Sequence, residues 1–174
     1  MKNVELVEIK GNEAFEAWKM QKKCFKPLYQ KYRDKDSPYK NGFLHFKKII
    51  KSPKVKTYWI TYDCEKVGEI FIVVKETKNY LARIFVLPKF QNRGIAQAAI
   101  MNAENIHSNT PCWALDTIKQ EEKNCYLYEK LGYRRTGKEK IINDKMTIVY
   151  YEKKYCAVVA QKKKASSACL LFTV

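Results

Sequence analysis

The sequence predicts an α/β fold of the α+β kind, with strands and helices in the order β-α-α-β-β-β-α-β-α-β-β. Two observations lead to this prediction. Three strand-like runs follow one another through short polar connectors, which is typical of an antiparallel meander. Helical periodicity occurs both before and after them. With 174 residues, 46% of them hydrophobic, the chain has room for one domain with its own core.

The first part of the chain is predicted to hold one strand and two helices. Residues 4–9 alternate apolar and charged side chains, as a half-buried strand does. Helical periodicity then runs to about Phe25 and returns over Phe43–Lys51. The stretch between these helices, residues 26–42, contains two prolines and three tyrosines and is predicted to be irregular.

The remaining elements are predicted from alternation, periodicity and breaker residues. The meander strands are Thr57–Tyr62, Val67–Lys75 and Tyr80–Leu87. After them we expect a helix over Gly94–His107, a short strand over Cys112–Asp116 and a helix over Asn124–Leu131. The last predicted element is a hairpin of Tyr133–Ile142 with Met146–Tyr151. Residues 1–154 form the predicted domain, and residues 155–174, which lack periodicity, are expected to be a disordered C-terminal extension.

The formal net charge of +16 raises the question of a nucleic-acid partner. Only five of the 34 cations are Arg, so the other 29 are Lys. Arg is the residue best suited to two-pronged recognition of phosphate and guanine, whereas lysines spread over a chain are typical of a solvated surface. The composition therefore argues against nucleic acid as the main partner.

The cysteines and the apolar runs indicate the cellular setting. None of the six cysteines forms a CxxC pair or a Cys/His cluster with zinc spacing, so no metal site is predicted. The first residues carry acids where a signal peptide needs an apolar run, and no stretch approaches the roughly 20 apolar residues of a membrane span. We expect a cytoplasmic protein with free thiols and no membrane association.

The run Gln91–Ala96, with the sequence QNRGIA, joins a predicted strand to a predicted helix. Its small residues, Gly94 and Ala96, let backbone N–H groups approach a ligand closely, and the start of the helix adds the positive end of a dipole. These properties suit a pyrophosphate, although an ordinary strand-to-helix connection has the same composition.

Gln91–Ala96 matches the Q/R-x-x-G-x-G/A signature of the GNAT superfamily of N-acetyltransferases, and Val86–Gln91 (VLPKFQ) resembles its V-x-P-x-x-Q/R lead-in. Asn124–Tyr133 (NCYLYEKLGY) resembles the family's N-x-x-A-x-x-L-Y-E-K-x-G-F segment. The 33 residues from Gln91 to Asn124 suit the helix and strand between the motifs. The resemblance covers roughly residues 4–154, and the predicted order of elements is also that of the family.

This resemblance implies a GNAT-like domain with a central mixed, mostly antiparallel twisted sheet flanked by helices, and acetyl-CoA as co-substrate. Backbone amides and the Arg93 side chain would lie at the pyrophosphate. The N–H of Val86 would polarise the thioester carbonyl, and Tyr128 would protonate the departing thiolate; the alternative for Tyr128 is a core role. The residues implied to contact acetyl-CoA are Phe85, Val86, Gln91, Asn92, Arg93, Gly94, Ile95, Ala96, Gln97 and Asn124.

The sequence leaves the general base open. An amine must be neutral to attack the thioester, so a proton acceptor is needed near it. Glu69 interrupts an apolar run, Asp116 ends a strand close to the expected acetyl position, and Glu121, with Glu122 beside it, precedes Asn124. A chain of water molecules is the alternative to these carboxylates.

Two function hypotheses follow. The first is an acetyl-CoA-dependent N-acetyltransferase, a monomer or homodimer, that transfers the acetyl group to a primary amine of a small molecule or peptide by direct attack on the thioester. Its acceptor would bind beside residues 25–42, whose aromatics and acids (Tyr29, Tyr32, Asp34, Asp36 and Tyr39 among them) could receive an amine. The alternative is a basic acyltransferase-like module that docks on RNA, a ribosome or another polyanion without catalysis.

Overall fold

Seven strands form one sheet in the computed structural model, which describes residues 3–155. In chain order they are β1 (Val4–Glu8), β2 (Val55–Tyr62), β3 (Glu65–Val73), β4 (Asn79–Val86), β5 (Cys112–Ile118), β6 (Arg134–Asn143) and β7 (Met146–Lys154). Across the sheet they lie in the order β1-β2-β3-β4-β5-β7-β6. Only β4 and β5 run parallel, so the predicted mixed, mostly antiparallel sheet is confirmed.

Helices cover both faces of this sheet. They are α1 (Ala14–Tyr32), α2 (Phe43–Ile50), α3 (Ile95–Ile106) and α4 (Glu122–Lys130), and the predicted order of elements is confirmed. Successive strand residues point to opposite faces. Accordingly Trp59 of β2 packs in the core under α1 and α2, whereas Ile60 packs in the core under α3 and α4. None of the helices within residues 3–155 has the length and apolar character needed to cross a membrane.

Helix α1 is longer than predicted. It continues through Pro27 to Tyr32, so the expectation that residues 26–32 are irregular is wrong. Proline removes one helical hydrogen bond, but burial of Tyr32 at the last turn keeps the helix on the body of the protein. The helix ends where Arg33 adopts a left-handed φ of 54° and donates its N–H to the carbonyl of Tyr29 at 2.8 Å.

The sheet opens in its centre because β4 and β5 pair only at their beginnings. Residues Asn79–Leu81 align with Trp113–Leu115, and the pairing goes no further. Ala82 follows as a β-bulge, because its two neighbours pair with consecutive residues of β3. Beyond this bulge the two strands diverge and leave a gap, which we call the β4–β5 gap.

Gly68 of β3 allows the backbone of β4 to approach β3 closely at the β4–β5 gap. A Cβ atom there would be 2.1 Å from the carbonyl oxygen of Phe85. We expect Gly68→Ala to lower the free energy of unfolding by about 1–3 kcal/mol, measured by urea denaturation, because β3 and β4 must separate. Gly11→Ala is the matched control, since no atom lies within 4 Å of its added Cβ. An unchanged urea midpoint for Gly68→Ala would contradict this prediction.

The described chain ends just after β7. The N–H of Tyr155 donates to the carbonyl of Pro111 at 2.9 Å, which holds this residue beside the start of β5. The C-terminal extension expected from residue 155 onward falls almost wholly outside the described residues, since residues 156–174 are beyond them.

Candidate active site

Two clefts meet at the β4–β5 gap. The first cleft, of about 590 Å³, lies between the end of β4 and the starts of α3 and α4. The second cleft, of about 520 Å³, lies between the end of α1 with its following loop and strands β4, β5 and β7. The residues that line both clefts, and so mark their junction, are Phe25, Leu28, Ile84, Asn124 and Tyr128.

The turn before α3 presents free backbone N–H groups to the first cleft. Asn92 and Gly94 both have left-handed backbone conformations, with φ of 59° and 76°, and both line this cleft. The N–H groups of the first helical residues have no partner within a helix. In α3 the N–H of Ala98 donates to Gly94 at 3.0 Å, which leaves the preceding N–H groups available. Free N–H groups at the positive end of a helix form an anion site.

Gln91 fastens this turn to the strand before it. Its side-chain Nε2 donates to the carbonyl oxygen of Val86 at 2.9 Å. The predicted contact residues Gln91, Asn92, Gly94, Ile95, Ala96 and Gln97 all line the first cleft. Arg93 does not line it; its guanidinium lies 5.5 Å from the ring centre of Phe90.

The edge of β4 faces the first cleft with N–H groups that the sheet does not use. Leu87 donates its N–H to the carbonyl of Val67 on β3 at 2.7 Å. In an antiparallel pair the residues that exchange hydrogen bonds alternate. The N–H of Val86 is therefore directed away from β3, toward the β4–β5 gap, and the same alternation directs the N–H of Ile84 there.

Tyr128 lies at the junction of the two clefts. Its ring packs against Tyr133 and Tyr151, each with ring centres 6.2 Å away, so its position is fixed by buried aromatics. Its hydroxyl forms no hydrogen bond with any described residue. Burial, together with the charge of Asp116, raises the pKa of Tyr128 well above its ordinary value. The hydroxyl therefore remains protonated at neutral pH.

Asp116 faces the second cleft from β5. The hydroxyl of Tyr80, on β4, donates a hydrogen bond to its Oδ1, and both side chains line the cleft. Burial and this hydrogen bond raise the pKa of Tyr80, so Tyr80 stays a donor. Asp116 is exposed, and its charge is felt by Tyr128 across the gap.

The other two carboxylates proposed as bases lie outside the second cleft, since Glu121 lines the first cleft and Glu69 lines neither. Glu121 accepts hydrogen bonds from the Tyr32 hydroxyl at 2.6 Å and the Lys31 ammonium at 2.8 Å. Burial opposes ionisation of Glu121, but these two donors lower its pKa overall. Glu69 is 0% exposed and lines neither cleft. Both its oxygens lack a hydrogen-bond partner, and burial raises its pKa well above the usual range.

The region expected to receive the acceptor contributes part of the second cleft. Tyr32, Asp34 and Asp36 line it, whereas Tyr29 and Tyr39 stack on each other with ring centres 5.0 Å apart.

Sequence reasoning missed two residues of this cleft, Tyr80 and Arg83. The position of a cation within an apolar strand was a sequence signal that Arg83 could have a role in a site, but no local feature of the sequence distinguished Tyr80.

Among residues 3–155 no three His, Cys, Asp or Glu side chains come together to hold a metal ion.

Cys24 offers a chemical probe of the first cleft, which it lines. Burial, with a contribution from the Glu69 carboxyl, raises the pKa of its thiol to about 11. Since the thiolate is the reactive form, we expect iodoacetamide at pH 8 to modify Cys24 much more slowly than the exposed Cys64. Acetyl-CoA should slow Cys24 further and leave Cys64 unchanged, as measured by peptide mass spectrometry. Equal protection of both thiols would contradict this location of the ligand.

Comparison with known proteins agrees with this geometry. The family model described as an acetyltransferase (GNAT) domain matches residues 54–135. This segment contains the meander strands, the Gly94 turn, β5 and Tyr128. No protein with curated annotation matches the chain.

Three solved structures share the fold at low sequence identity. The PaiA N-acetyltransferase of Thermoplasma acidophilum, in complex with coenzyme A, is 16% identical, with a TM-score of 0.70 over 88% of this chain and 99% of that one. The Vibrio cholerae spermidine N-acetyltransferase, with CoA and spermine, is 14% identical, with a TM-score of 0.70 over 87% and 95%.

The third is the Salmonella typhimurium acetyltransferase that modifies the N-terminal serine of ribosomal protein L7/L12. It is 12% identical, with a TM-score of 0.71 over 88% of this chain and 95% of that one. At such identities the likeness concerns the fold, while the domain match concerns the sequence. Residues 54–135 thus match a GNAT acetyltransferase domain, and the fold of the chain is the one found in solved N-acetyltransferases.

Proposed function

We propose that this protein transfers the acetyl group of acetyl-CoA to a primary amine by direct attack of the amine on the thioester. The observation that carries the proposal is the position of Tyr128, a largely buried tyrosine whose protonated hydroxyl lies where two chemically different clefts meet. The first cleft offers backbone N–H donors, which suit a polyanionic donor, and the second offers Asp34, Asp36 and Asp116, which suit an acceptor with an amino group.

The first cleft fits acetyl-CoA, which supplies an activated acyl group when bound. Backbone N–H groups from Asn92 to Gln97 would hold the pyrophosphate at the start of α3. The free N–H groups of Ile84 and Val86 would bind the pantetheine arm and the thioester carbonyl along the edge of β4. Phe85 and Asn124, which also line the cleft, complete the proposed contacts.

The second cleft would bind the acceptor amine, and Asp116 is the proposed proton acceptor. Asp116 is exposed in this cleft beside Tyr128, whereas Glu121 is held by Tyr32 and Glu69 is sealed in the core. During the reaction the N–C bond forms, the C–S bond breaks and one proton passes from nitrogen to Asp116. Tyr128 gives its proton to the departing sulfur, so no thiolate has to leave as a bare anion. The proton on Asp116 then replaces the one that Tyr128 has lost, which restores both groups.

We propose an amine of a small molecule or of a peptide as the acceptor. The structurally similar proteins include one that acetylates spermidine and one that acetylates the N-terminal serine of a ribosomal protein, so a small amine and a peptide amine are both compatible with the fold.

We propose a cytoplasmic setting because the described cysteines, Cys24, Cys64, Cys112 and Cys125, are all free thiols. The +16 charge would speed the encounter with a polyanionic donor.

Isothermal titration of the full chain with acetyl-CoA tests the first step. We expect saturable one-to-one binding, weakened at least about tenfold by Gly94→Val, because a branched residue at φ 76° strains the turn by about 1–3 kcal/mol. A short single-stranded RNA at the same salt should give no comparable heat. RNA binding without acetyl-CoA binding would overturn the proposal in favour of a polyanion-binding module.

A further inference from the structure

Arg83 places a guanidinium in the wall of the second cleft, where the acceptor would bind. It stands on β4 directly after the bulge at Ala82, and it is the one arginine among the described residues that lines this cleft. Its place on the strand that borders the β4–β5 gap brings it near the site of acetyl transfer. The inference drawn from it rests on the proposed function and concerns the kind of amine that is acetylated.

The guanidinium is held in position before any acceptor arrives. Its Nη1 donates to the Oε1 of Gln21, and Gln21, fully buried in α1, donates its Nε2 to the carbonyl of Pro38 at 2.9 Å. The charged group also lies 4.9 Å from the ring centre of Phe71 and 5.9 Å from that of Phe25. Such contacts fix the plane of the group and hence the direction of its N–H donors.

Most of the hydrogen-bonding capacity of Arg83 is unused. A guanidinium has five N–H groups, and only Nη1 finds a partner among the described residues, while the buried Nε has none. No carboxylate of residues 3–155 forms a salt bridge with Arg83. The nearby Glu69 carboxyl also lacks a hydrogen-bond partner, and burial raises its pKa well above the usual range although the Arg83 charge opposes this shift.

The cleft therefore carries opposite charges on the two strands that flank the gap. Asp116 on β5 provides a carboxylate beside Tyr128, and Arg83 on β4 provides a fixed cation. Asp34 and Asp36, on the loop after α1, add negative charge from the opposite wall. A ligand that carries only positive charge would place a further cation near a guanidinium that forms no salt bridge with any carboxylate of residues 3–155, which is unfavourable.

We propose that the acceptor is an amino-carboxylate, such as a free α-amino acid, whose ammonium group faces Asp116 and whose carboxylate binds Arg83. A carboxylate matches the planar fork of a guanidinium and accepts two parallel hydrogen bonds from it. A simple polyamine has no group for Arg83, and the amino-terminal residue of a peptide has an amide in place of the carboxylate.

The test compares acceptors in matched sets, using the 174-residue chain and release of CoA as the readout. Each standard α-amino acid is paired with its decarboxylated amine and with its amide. For the amino acids that are used, kcat/KM should exceed that of both partners at least about tenfold. Arg83→Gln should bring this ratio close to one, whereas Arg83→Lys, which keeps the charge without the fork, should retain part of it.

Lys140→Gln is the matched control, because it removes a cation from the same cleft while leaving Arg83 intact. It should preserve the preference for amino acids. A wild-type preference for decarboxylated amines or amides, or a ratio that survives Arg83→Gln, would overturn the inference. If Arg83→Gln does not fold, as judged by circular dichroism, the wild-type ratio and Arg83→Lys decide the matter.

The proposed function and this inference fail in distinguishable ways. Absence of acetyl-CoA binding in the titration would overturn the proposed function. Acetyl-CoA binding with transfer only to amines that lack a carboxylate, or with no transfer to any amino acid, would overturn the role of Arg83 alone.

Discussion

Replacing Tyr128 with Phe should lower kcat about 100-fold, the scale of a lost general acid, while the dissociation constant of acetyl-CoA stays nearly unchanged. The substitution removes only the hydroxyl, and the ring keeps its contacts with Tyr133 and Tyr151. Because that hydroxyl bonds to no described residue, its loss leaves no buried group unsatisfied and the fold should persist. Steady-state kinetics and acetyl-CoA titration of the same preparation separate the two quantities.

The matched control is Tyr126→Phe, on the same helix. Tyr126 is 69% exposed and lines neither cleft, so loss of its hydroxyl should change neither kcat nor binding. A Tyr128→Phe enzyme with wild-type kcat would remove this residue from proton transfer. A loss of acetyl-CoA affinity without a change in kcat would instead make Tyr128 a binding residue.

Asp116→Asn should reduce kcat/KM for the acceptor about 100-fold, because the amide cannot take a proton from the attacking nitrogen. Asparagine keeps the size of the side chain and can still accept the hydrogen bond from Tyr80. The loss should therefore come from proton transfer, and acetyl-CoA affinity should not change. Acceptor kinetics at saturating acetyl-CoA measure the effect.

Glu121→Gln is the comparison that assigns the base. Glutamine can still accept the hydrogen bond from the Tyr32 hydroxyl, so the junction of α1 with α4 should survive and the kinetic loss should be much smaller. A larger loss for Glu121→Gln than for Asp116→Asn would transfer the role to Glu121. Wild-type activity in both variants would favour water as the proton acceptor.

Local sequence signals were sufficient for most of the fold. Alternation marked the strands and helical periodicity marked the helices, and each predicted element has a counterpart in the structure. The exception is the end of α1, where Pro27 suggested a break. The helix continues because its last turn is anchored by contacts remote in sequence, such as that of Tyr32 with Glu121, which no local pattern reveals.

The two clefts differ in how far the sequence could predict them. Just over half of the residues that line the first cleft come from the continuous segment 84–97, so the motif around Gly94 located this side, whereas the α1 side was not predicted. The second joins α1, β4, β5 and β7. Its Tyr80–Asp116 contact depends on the parallel register of β4 with β5, and the position of Arg83 depends on packing under α1. Such long-range relations are absent from a single sequence.

The behaviour of Glu69 illustrates the same limit. Its place at an apolar strand run made it a candidate base, and its side chain is fully buried. Which inward space it faces depends on the helices above the strand, and the core under α1 encloses it away from both clefts. Burial alone was therefore insufficient to select a base, and access to the acceptor cleft favours Asp116.

The central claim, direct acetyl transfer from acetyl-CoA to an amine, is tested most directly by mass balance in one reaction. CoA thiol is measured by absorbance, and the amine and the intact protein are measured by mass spectrometry. The account predicts one N-acetylated amine for each CoA released and no acetyl group on the protein. CoA release without acetylated amine, or an acetylated protein that passes its acetyl group on to the amine, would contradict it.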